Sequence, residues 1–350
     1  MHVMTQRPLR ALITGLAGHV LQPEEAAFLC RSGPCGLILF ARNIASAEQI
    51  RRLVDDARQA IGRDDVLVLI DQEGGRVQRL RPPLGRALPP AQAYAQLYAN
   101  DADAACRMAG TQARLIAADL LALGINTDCA PVLDVPVSGA HHIIGDRAYG
   151  RTPAQVAALG RAVAEGFLSG GMLPVIKHIP GHGRATADSH LDLPIVATSH
   201  AELSATDFAA FKALADMPAA MTAHVVFAAL DPAHPASTSE LVTREIIRGE
   251  IGFDGLLMSD DLSMKALDGS ISDRAKAVIS AGSDVALHCN GVLSEMLEAA
   301  DQVPLLDGKA LERFDRAVAV FANRQPFDMA AAENNLAQVL ANHAASTESV

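Results

Sequence analysis

Eight short runs rich in Leu, Ile and Val recur along this chain of 350 residues, each followed by a turn and a longer segment with helical spacing. This repetition is typical of βα units, because a short apolar run fits a buried strand and the longer segment fits a helix that covers it. Eight such units close naturally into a barrel, although an open, doubly wound sheet has a similar pattern. We therefore predict an α/β fold, a single-domain (β/α)8 TIM barrel. The predicted strands are 9–14, 37–40, 66–70, 126–132, 173–176, 219–222, 255–258 and 284–287.

The segments between the predicted strands carry signals for the starts of helices. Thr152 precedes Pro153, which provides an N-cap followed by proline at the first helical position, and Ser239 opens another helix before an acidic residue. The Ala- and Asn-rich tail predicts one peripheral C-terminal helix with a frayed end. We accordingly place the barrel at residues 1–328 and the tail at 329–350. The predicted helices are 47–60, 104–123, 153–168, 201–214, 239–248 and 273–281.

The composition argues against several classes of partner. The formal net charge is -11 and Lys and Arg form no run, which disfavours nucleic acid and anionic membranes. The start of the chain reaches glycines before any long apolar stretch, so we expect no signal peptide. The most apolar segment, 209–230, contains charged residues and proline that a membrane-spanning helix rarely carries together. We predict a cytoplasmic monomer that binds neither nucleic acid nor membrane.

Cysteine and aromatic content narrow the remaining classes of ligand. Five cysteines form an odd set without a CxxC pair, which fits reduced thiols in the cytosol better than a disulfide framework. The chain has no Trp and three Tyr, too few for a groove of aromatic platforms along a polysaccharide. A sugar ligand would therefore be small and held by polar groups.

In a barrel, the residues just past the carboxyl ends of the strands converge on one mouth, so polar side chains there are candidates for binding and catalysis. Such side chains follow most of the predicted strands, which we interpret as a functional mouth. They are Arg42, Asn43, Asp71, Lys177, His178, His224, Asp260 and Asn290.

The segment KHIPGHG at 177–183 is followed by Asp188 and His190 and supports two interpretations. Three histidines and an aspartate are zinc-ligand types, and two of the histidines are spaced as on a zinc-binding helix. The proline and glycines exclude that helix, however, and Lys177 would repel a cation. We favour a catalytic loop in which Asp188 contacts His190, because an imidazole held by a carboxylate can donate and accept protons near neutral pH.

Two further segments place carboxylates at the ends of apolar strands. In DQEGGRVQR at 71–79, Asp71 can accept two hydrogen bonds from a vicinal diol, and the paired glycines allow the backbone to approach a ligand closely. In MSDDLSM at 258–264, adjacent strand residues face opposite ways, so one aspartate can point into the mouth while the other caps the following helix. These segments predict a polyol-binding site with an inward-facing carboxylate.

Together, DQEGGRVQR, KHIPGHG with the trailing DSH, and MSDDLSM resemble the bacterial cytoplasmic β-N-acetylglucosaminidases of glycoside hydrolase family 3, which act in cell-wall recycling. LILFARNI, APVLDV, GDRAYG and AGSDVAL extend the resemblance, in order, over roughly residues 10–325. The ordered set is far more specific than any one motif. Small departures, such as Ile179 where phenylalanine is common, concern packing more than chemistry.

The resemblance implies an exo-acting, retaining glycosidase without a metal or other cofactor, in which Asp260 is the nucleophile and His190, paired with Asp188, is the acid/base. The implied substrate is a small glycoside, GlcNAc-1,6-anhydroMurNAc with or without its peptide, and Asp261 is kept as a helix cap. The sugar-binding residues that the resemblance implies are Asp71, Arg79, Arg147, Lys177 and His178.

Two alternative functions start from the same residues. A metal-dependent barrel hydrolase would use His178, His182 and Asp71 as ligands. A non-enzymatic sugar sensor would bind GlcNAc without turnover, although a degenerate binder could have lost the Asp260 and His190 positions that this chain retains. The glycosyl acceptor is left open between water and phosphate.

Overall fold

The predicted strands form a parallel barrel in the structure, a computed structural model that describes residues 7–185 and 193–347. All eight runs contain a strand, with ends shifted by a few residues from the predicted ones. The barrel strands are β1 (Arg10–Gly15), β2 (Pro34–Leu39), β3 (Leu67–Ile70), β4 (Thr127–Asp128), β5 (Leu173–Pro174 and Ile176–Ile179), β6 (Ala219–Thr222), β7 (Leu256–Asp261) and β8 (Val285–His288).

The fifth strand brings the two ends of the sheet together, because its two halves pair on opposite sides. Leu173–Pro174 pairs with β4, whereas Ile176–Ile179 pairs with β6. The remaining strands pair in the order β4, β3, β2, β1, β8, β7, β6. The structure is thus a nearly closed barrel, which confirms the predicted fold class and not the doubly wound alternative.

Helices cover the outside of the barrel, and both predicted helix starts are confirmed. The Thr152 side chain accepts a hydrogen bond from the backbone N–H of Gln155, with Pro153 in the first turn, and Ser239 Oγ accepts one from Val242 N–H at 3.1 Å. The helices are Pro23–Ser32, Ala47–Ile61, Ala91–Tyr98, Ala102–Leu121, Pro153–Gly170, His200–Ala205, Asp207–Lys212, Val242–Glu250, Ile271–Ser280, Leu293–Gln302, Gly308–Val318 and Met329–Thr347, with 3-10 turns at Ala41–Asn43, Gly145–Arg147, Ala236–Thr238 and Ala319–Ala322.

One predicted helix is broken and one predicted strand is shortened. The segment 201–214 is interrupted at Thr206, whose φ of -122° and ψ of -82° are not helical. The guanidinium of Arg184 donates to Thr206 Oγ1 at 2.9 Å, a tertiary contact that the periodicity of the segment does not reveal. The run 126–132 forms only the short strand β4, and Pro131 cannot donate to a neighbouring strand.

The core occupies the barrel interior and the layer between barrel and helices. Strands β2, β3, β6 and β8 are buried along their whole length, which explains their continuous apolar runs. The C-terminal helix Met329–Thr347 packs against Ala91–Tyr98 and Ala102–Leu121. All five cysteines are free thiols. Within the described ranges, no helix combines the length and the apolar character needed to cross a membrane.

Candidate active site

A cavity of about 260 Å³ opens at the carboxyl ends of the barrel strands. This volume is near the lower end of ligand pockets, which start at about 300 Å³, so the cavity suits one small ring better than an extended chain. Its lining includes every catalytic or sugar-binding residue that the family resemblance implied and that lies within the described ranges. These residues are Asp71, Arg79, Arg147, Lys177, His178 and Asp260.

The predicted acid/base pair, Asp188 and His190, lies outside the described residues. In the segment before it, the backbone N–H of His141 donates to the carbonyl of Ala185 at 2.9 Å. The roles given to Asp188 and His190 therefore stay predictions.

Five alternating charges form a continuous ion-pair network along one wall of the cavity. Asp71 Oδ2 lies 2.7 Å from Arg79 Nη2, and its Oδ1 lies 2.9 Å from Lys177 Nζ. Lys177 Nζ also lies 2.7 Å from Glu73 Oε1, and Glu73 accepts two hydrogen bonds of 2.8 Å from Arg147. Three cations and two anions leave the network with one net positive charge. Such a network is rigid, because each group fixes its neighbour.

The network keeps all its members charged at neutral pH. Burial alone would raise the pKa of Asp71, but Lys177 and Arg79 outweigh that effect and hold the pKa below its ordinary value. Burial opposes the charge of Glu73 too, yet Arg147 and Lys177 lower its pKa to about 2. Burial would lower the pKa of Lys177, and the two carboxylates raise it instead. The cavity therefore presents fixed donors and acceptors to a ligand.

Glu73 is a site residue that the sequence analysis did not single out. Its side chain is 7% exposed, and it joins Lys177 to Arg147 beneath the cavity surface. The sequence could have indicated this residue, because Asp71 and Glu73 are two positions apart at a strand end. Period-two alternation places such residues on the same face of a strand. Glu73 thus orients two of the predicted sugar-binding cations.

Asp260 and Asp261 both line the cavity, which corrects the expectation that one of them caps the following helix. Asp261 Oδ1 accepts hydrogen bonds from the backbone N–H groups of Ser263 and Cys289, both at 3.0 Å. The next helix begins after Ser270, whose own side chain caps it. Asp261 therefore supports the loop after β7 and its neighbour after β8. The carboxylate of Asp260 lines the cavity and accepts a hydrogen bond from the backbone N–H of Asp261 at 2.8 Å.

Arg42 and Asn43 follow β2 but do not line the cavity. Arg42 Nε and Asn43 Nδ2 donate to the carbonyl of Leu16 at 2.8 and 3.0 Å. The guanidinium of Arg42 also lies over the ring of Phe40, 4.9 Å from its centroid. Only Phe40 of this group reaches the cavity, so the two polar residues support the loop after β1.

His224 and Asn290 likewise hold loops together. His224 is completely buried, with Nδ1 at 2.7 Å from Ser237 Oγ and Nε2 at 3.0 Å from the carbonyl of Asp261. Asn290 Nδ2 donates to Glu295 at 2.6 Å. A position after a strand therefore did not by itself identify the residues that face the cavity.

Backbone packing requires a glycine at one position in each of the two main motifs. Gly74 has a φ of 106°, and a Cβ there would overlap the carbonyl oxygen of Pro89. A Cβ at Gly183 would overlap the carbonyl of Val135. The approach of a ligand to the backbone at these motifs stays a prediction.

Asp128 is a fully buried carboxyl group close to the ion-pair network. Its Oδ1 accepts a hydrogen bond from the backbone N–H of Gln72 at 3.0 Å, and Oδ2 has no hydrogen-bond partner among the described residues. Burial raises the pKa of Asp128 to about 8, and the Gln72 N–H and Lys177 offset that rise only in part. The group is consequently mostly protonated at neutral pH.

We expect Asp128→Asn to raise the melting temperature at pH 8 and to have a smaller effect towards pH 4. The native pKa of Asp128 lies above the unfolded value of about 3.9, so the native state binds more protons between these values. Wild-type stability therefore falls as pH rises through this interval, and an amide removes that loss. Thermal denaturation followed by circular dichroism measures the melting temperatures at each pH. Asp64→Asn, a substitution of an exposed aspartate, is the control. A gain in melting temperature that is the same at every pH would contradict the assignment.

The metal alternative finds little support in the arrangement of these side chains. Within residues 7–185 and 193–347, no group of three or more His, Cys, Asp or Glu side chains could hold a metal ion. Asp71 lies between two cations, and Nδ1 of His178 is occupied by Asp134 at 2.7 Å.

Comparison with known proteins gives consistent results in sequence and in structure. Residues 14–321 match the family model described as the glycosyl hydrolase family 3 N terminal domain. A β-hexosaminidase of Methylococcus capsulatus is 44% identical over 279 residues, covering 79% of this chain and 81% of that protein. A β-hexosaminidase of Alkalilimnicola ehrlichii is 39% identical over 317 residues, covering 89% and 90%. The crystal structure of NagZ from Neisseria gonorrhoeae in complex with N-trifluoroacetyl-D-glucosamine has a TM-score of 0.84 at 34% identity, covering 95% of this chain and 98% of that one.

Proposed function

The chain belongs to glycoside hydrolase family 3 as a β-N-acetylhexosaminidase, and from this premise we propose that it removes terminal β-linked GlcNAc from small glycosides with retention of configuration. The proposed substrate is GlcNAc-1,6-anhydroMurNAc, with or without its peptide. The proposed setting is cell-wall recycling in the cytoplasm, by a monomer.

One observation carries this proposal: a cavity sized for a single ring is lined by four members of the ion-pair network and by the carboxylate of Asp260. The network offers what a sugar ring requires, because Asp71 can accept from two hydroxyl groups while the cations donate to hydroxyl and acetamido oxygens. The small volume supports cleavage at chain ends. The Neisseria protein binds an N-acylated glucosamine, which is also a single sugar ring.

The proposed mechanism has two steps. In the first, Asp260 attacks the anomeric carbon, the bond to the leaving oxygen breaks, and His190 gives its proton to that oxygen. In the second, His190 takes a proton from water, the water oxygen bonds to the anomeric carbon, and Asp260 leaves as a carboxylate. Asp188 would orient His190 and stabilise its charged form. One residue thus serves as acid and then as base, as microscopic reversibility requires.

We expect hydrolysis of a β-linked substrate to release GlcNAc initially as its β anomer. Two displacements at the anomeric carbon restore the original configuration, whereas direct attack by water would invert it. Proton NMR during the first minutes of hydrolysis distinguishes the anomers before mutarotation mixes them. An initial α anomer would contradict the covalent mechanism.

Hydrolysis assays also test three further parts of the proposal: metal independence, exo action and the identity of the glycosyl acceptor. Hydrolysis of GlcNAc-1,6-anhydroMurNAc should proceed after exhaustive chelation, and loss of activity that returns with a metal ion would favour the metal alternative. Internal cleavage of long chitin chains without preference for their ends would contradict exo action. Formation of GlcNAc-1-phosphate in phosphate buffer would identify phosphate as an acceptor beside water.

A further inference from the structure

A buried carboxylate lies directly behind His178. Asp134 is inaccessible to solvent, and its Oδ2 lies 2.7 Å from Nδ1 of His178. The side chain of His178 is 10% exposed and lines the cavity. Because the Nδ1 edge of the imidazole faces the protein interior, the opposite edge, which carries Nε2, faces the cavity.

The other carboxylate oxygen of Asp134 accepts hydrogen bonds from the backbone of the segment that carries His178. Oδ1 accepts hydrogen bonds from the N–H groups of His182 at 2.6 Å and His178 at 3.3 Å. One carboxylate therefore fixes both ends of the segment 178–182. Burial alone would raise the pKa of Asp134, but the side chain of His178 and the neighbouring His182 lower it below its ordinary value, so the group is ionised.

We propose that Asp134 is a positioning residue that orients His178 and holds it as the Nδ1–H tautomer, so that Nε2 is presented to a hydroxyl group of the bound sugar. A carboxylate can only accept hydrogen bonds, so the proton between the two groups belongs to Nδ1. In the neutral imidazole, Nε2 is then an acceptor. This inference rests on the proposed function, since it gives His178 a place beside the sugar.

The contacts of Asp134 make its amide analogue a sharp test. Asp134 accepts from three N–H donors with two oxygens. An asparagine has one acceptor oxygen, so its NH2 group must face a donor in either orientation. With the NH2 group towards His178, the ring would adopt the Nε2–H tautomer and donate where it previously accepted. Asp134→Asn therefore changes the character of the binding group with almost no change in volume.

The first experiment is performed on the wild-type enzyme and does not require any Asp134 variant to fold. Nitrogen NMR of protein labelled with ¹⁵N-histidine reports the tautomer of each ring, and the His178 signal is identified by its absence in His178→Asn. We expect the Nδ1–H tautomer at neutral pH. An Nε2–H tautomer for His178 in the wild type would overturn the proposal.

The second experiment is a double-mutant cycle on the hydrolysis of 4-nitrophenyl β-N-acetylglucosaminide. Asp134→Asn should lower kcat/KM by about 10- to 100-fold, the size of loss seen when a group that orients a metal-binding histidine is removed. The double variant Asp134→Asn/His178→Asn should be no slower than His178→Asn alone, because Asp134 acts through His178. Multiplicative losses in the double variant would contradict this.

A matched control separates positioning from stability. Asp284 is also a buried aspartate, 7% exposed, but it lies at the amino end of β8, where Arg248 and Arg313 hold it at 2.8 and 2.9 Å. Asp284→Asn should lower the melting temperature and leave kcat/KM of the folded enzyme unchanged. Equal losses of kcat/KM in the Asp134 and Asp284 variants would show that Asp134 has only a structural role.

Failure of this inference can be distinguished from failure of the proposed function. A wild-type enzyme that does not hydrolyse the nitrophenyl glycoside would contradict the proposed function. An active wild type together with a fully active His178→Asn would contradict only the role given to His178 and Asp134.

Discussion

Asp260→Ala is expected to lower kcat/KM for 4-nitrophenyl β-N-acetylglucosaminide by on the order of 10⁴-fold, with little change in melting temperature. Loss of a nucleophile typically costs this much, because the covalent route is closed and the remaining binding groups contribute only modest acceleration. The fold should tolerate the change, since Asp260 lies in the cavity lining and not in the core. Steady-state kinetics and circular dichroism measure both effects.

Azide rescue of this variant gives a second, more specific result. Azide can enter the space of the missing carboxylate and bond to the anomeric carbon as nitrophenolate leaves, which needs no acid. The expected product is the α-glycosyl azide, because a single displacement inverts a β-linked substrate. A β-glycosyl azide would place the nucleophile elsewhere in the enzyme.

Asp261→Ala is the matched control for Asp260, since the two neighbours differ in their contacts. Asp261 holds the backbone of Ser263 and Cys289, so its loss should lower the melting temperature more than the loss of Asp260 does. If Asp261→Ala abolished turnover in a fully folded protein while Asp260→Ala did not, the assignment of the nucleophile would be reversed.

Lys177→Met is expected to destabilise the protein by about 3–5 kcal/mol and to abolish tight substrate binding. The ammonium group is shared by two nearly buried carboxylates, at 2.9 Å from Asp71 and 2.7 Å from Glu73. Removing one partner of a buried ion pair leaves charge uncompensated in a medium of low dielectric constant, which costs this much. The midpoint of urea denaturation measures the change in stability.

The dependence of stability on pH in acid should show why Lys177→Met is destabilised. In the wild type the pKa values of Asp71 and Glu73 lie below their unfolded values, so these groups stabilise the native state above about pH 4 and lose that contribution as pH falls. The difference between wild type and Lys177→Met should therefore be largest at neutral pH and shrink in acid.

Lys212→Met, on an exposed lysine of the helix Asp207–Lys212, is the control for the substitution itself. It should change the free energy of unfolding by less than about 0.5 kcal/mol. A loss of similar size in the Lys212 and Lys177 variants would mean that the ion-pair network does not contribute to stability.

The order of strands and the positions of four cavity residues could be predicted from the sequence pattern. Short apolar runs alternating with helical segments favour a parallel barrel, and in a barrel the carboxyl ends of the strands must converge. Asp71, Lys177, His178 and Asp260 are each attached to a strand end, so the topology alone brings them together. Arg79 and Arg147 lie in loops, and their positions in the cavity were expected only from the family resemblance.

The partners and protonation states of these residues depend on the tertiary structure. Lys177 and Asp71 are 106 residues apart in the chain, and Asp134 and His178 are 44 apart, so no local pattern indicates that they touch. The buried, protonated Asp128 and the supporting role of Asp261 were missed for the same reason. Residue type and strand position determined that Asp71, Lys177 and Asp260 lie at one end of the barrel, because parallel strands end at one face, but they did not determine which other polar groups at the strand ends face the cavity. Burial and contacts between distant βα units decided which of them are charged, paired or free to bind, because desolvation and pairing depend on what surrounds a group in space.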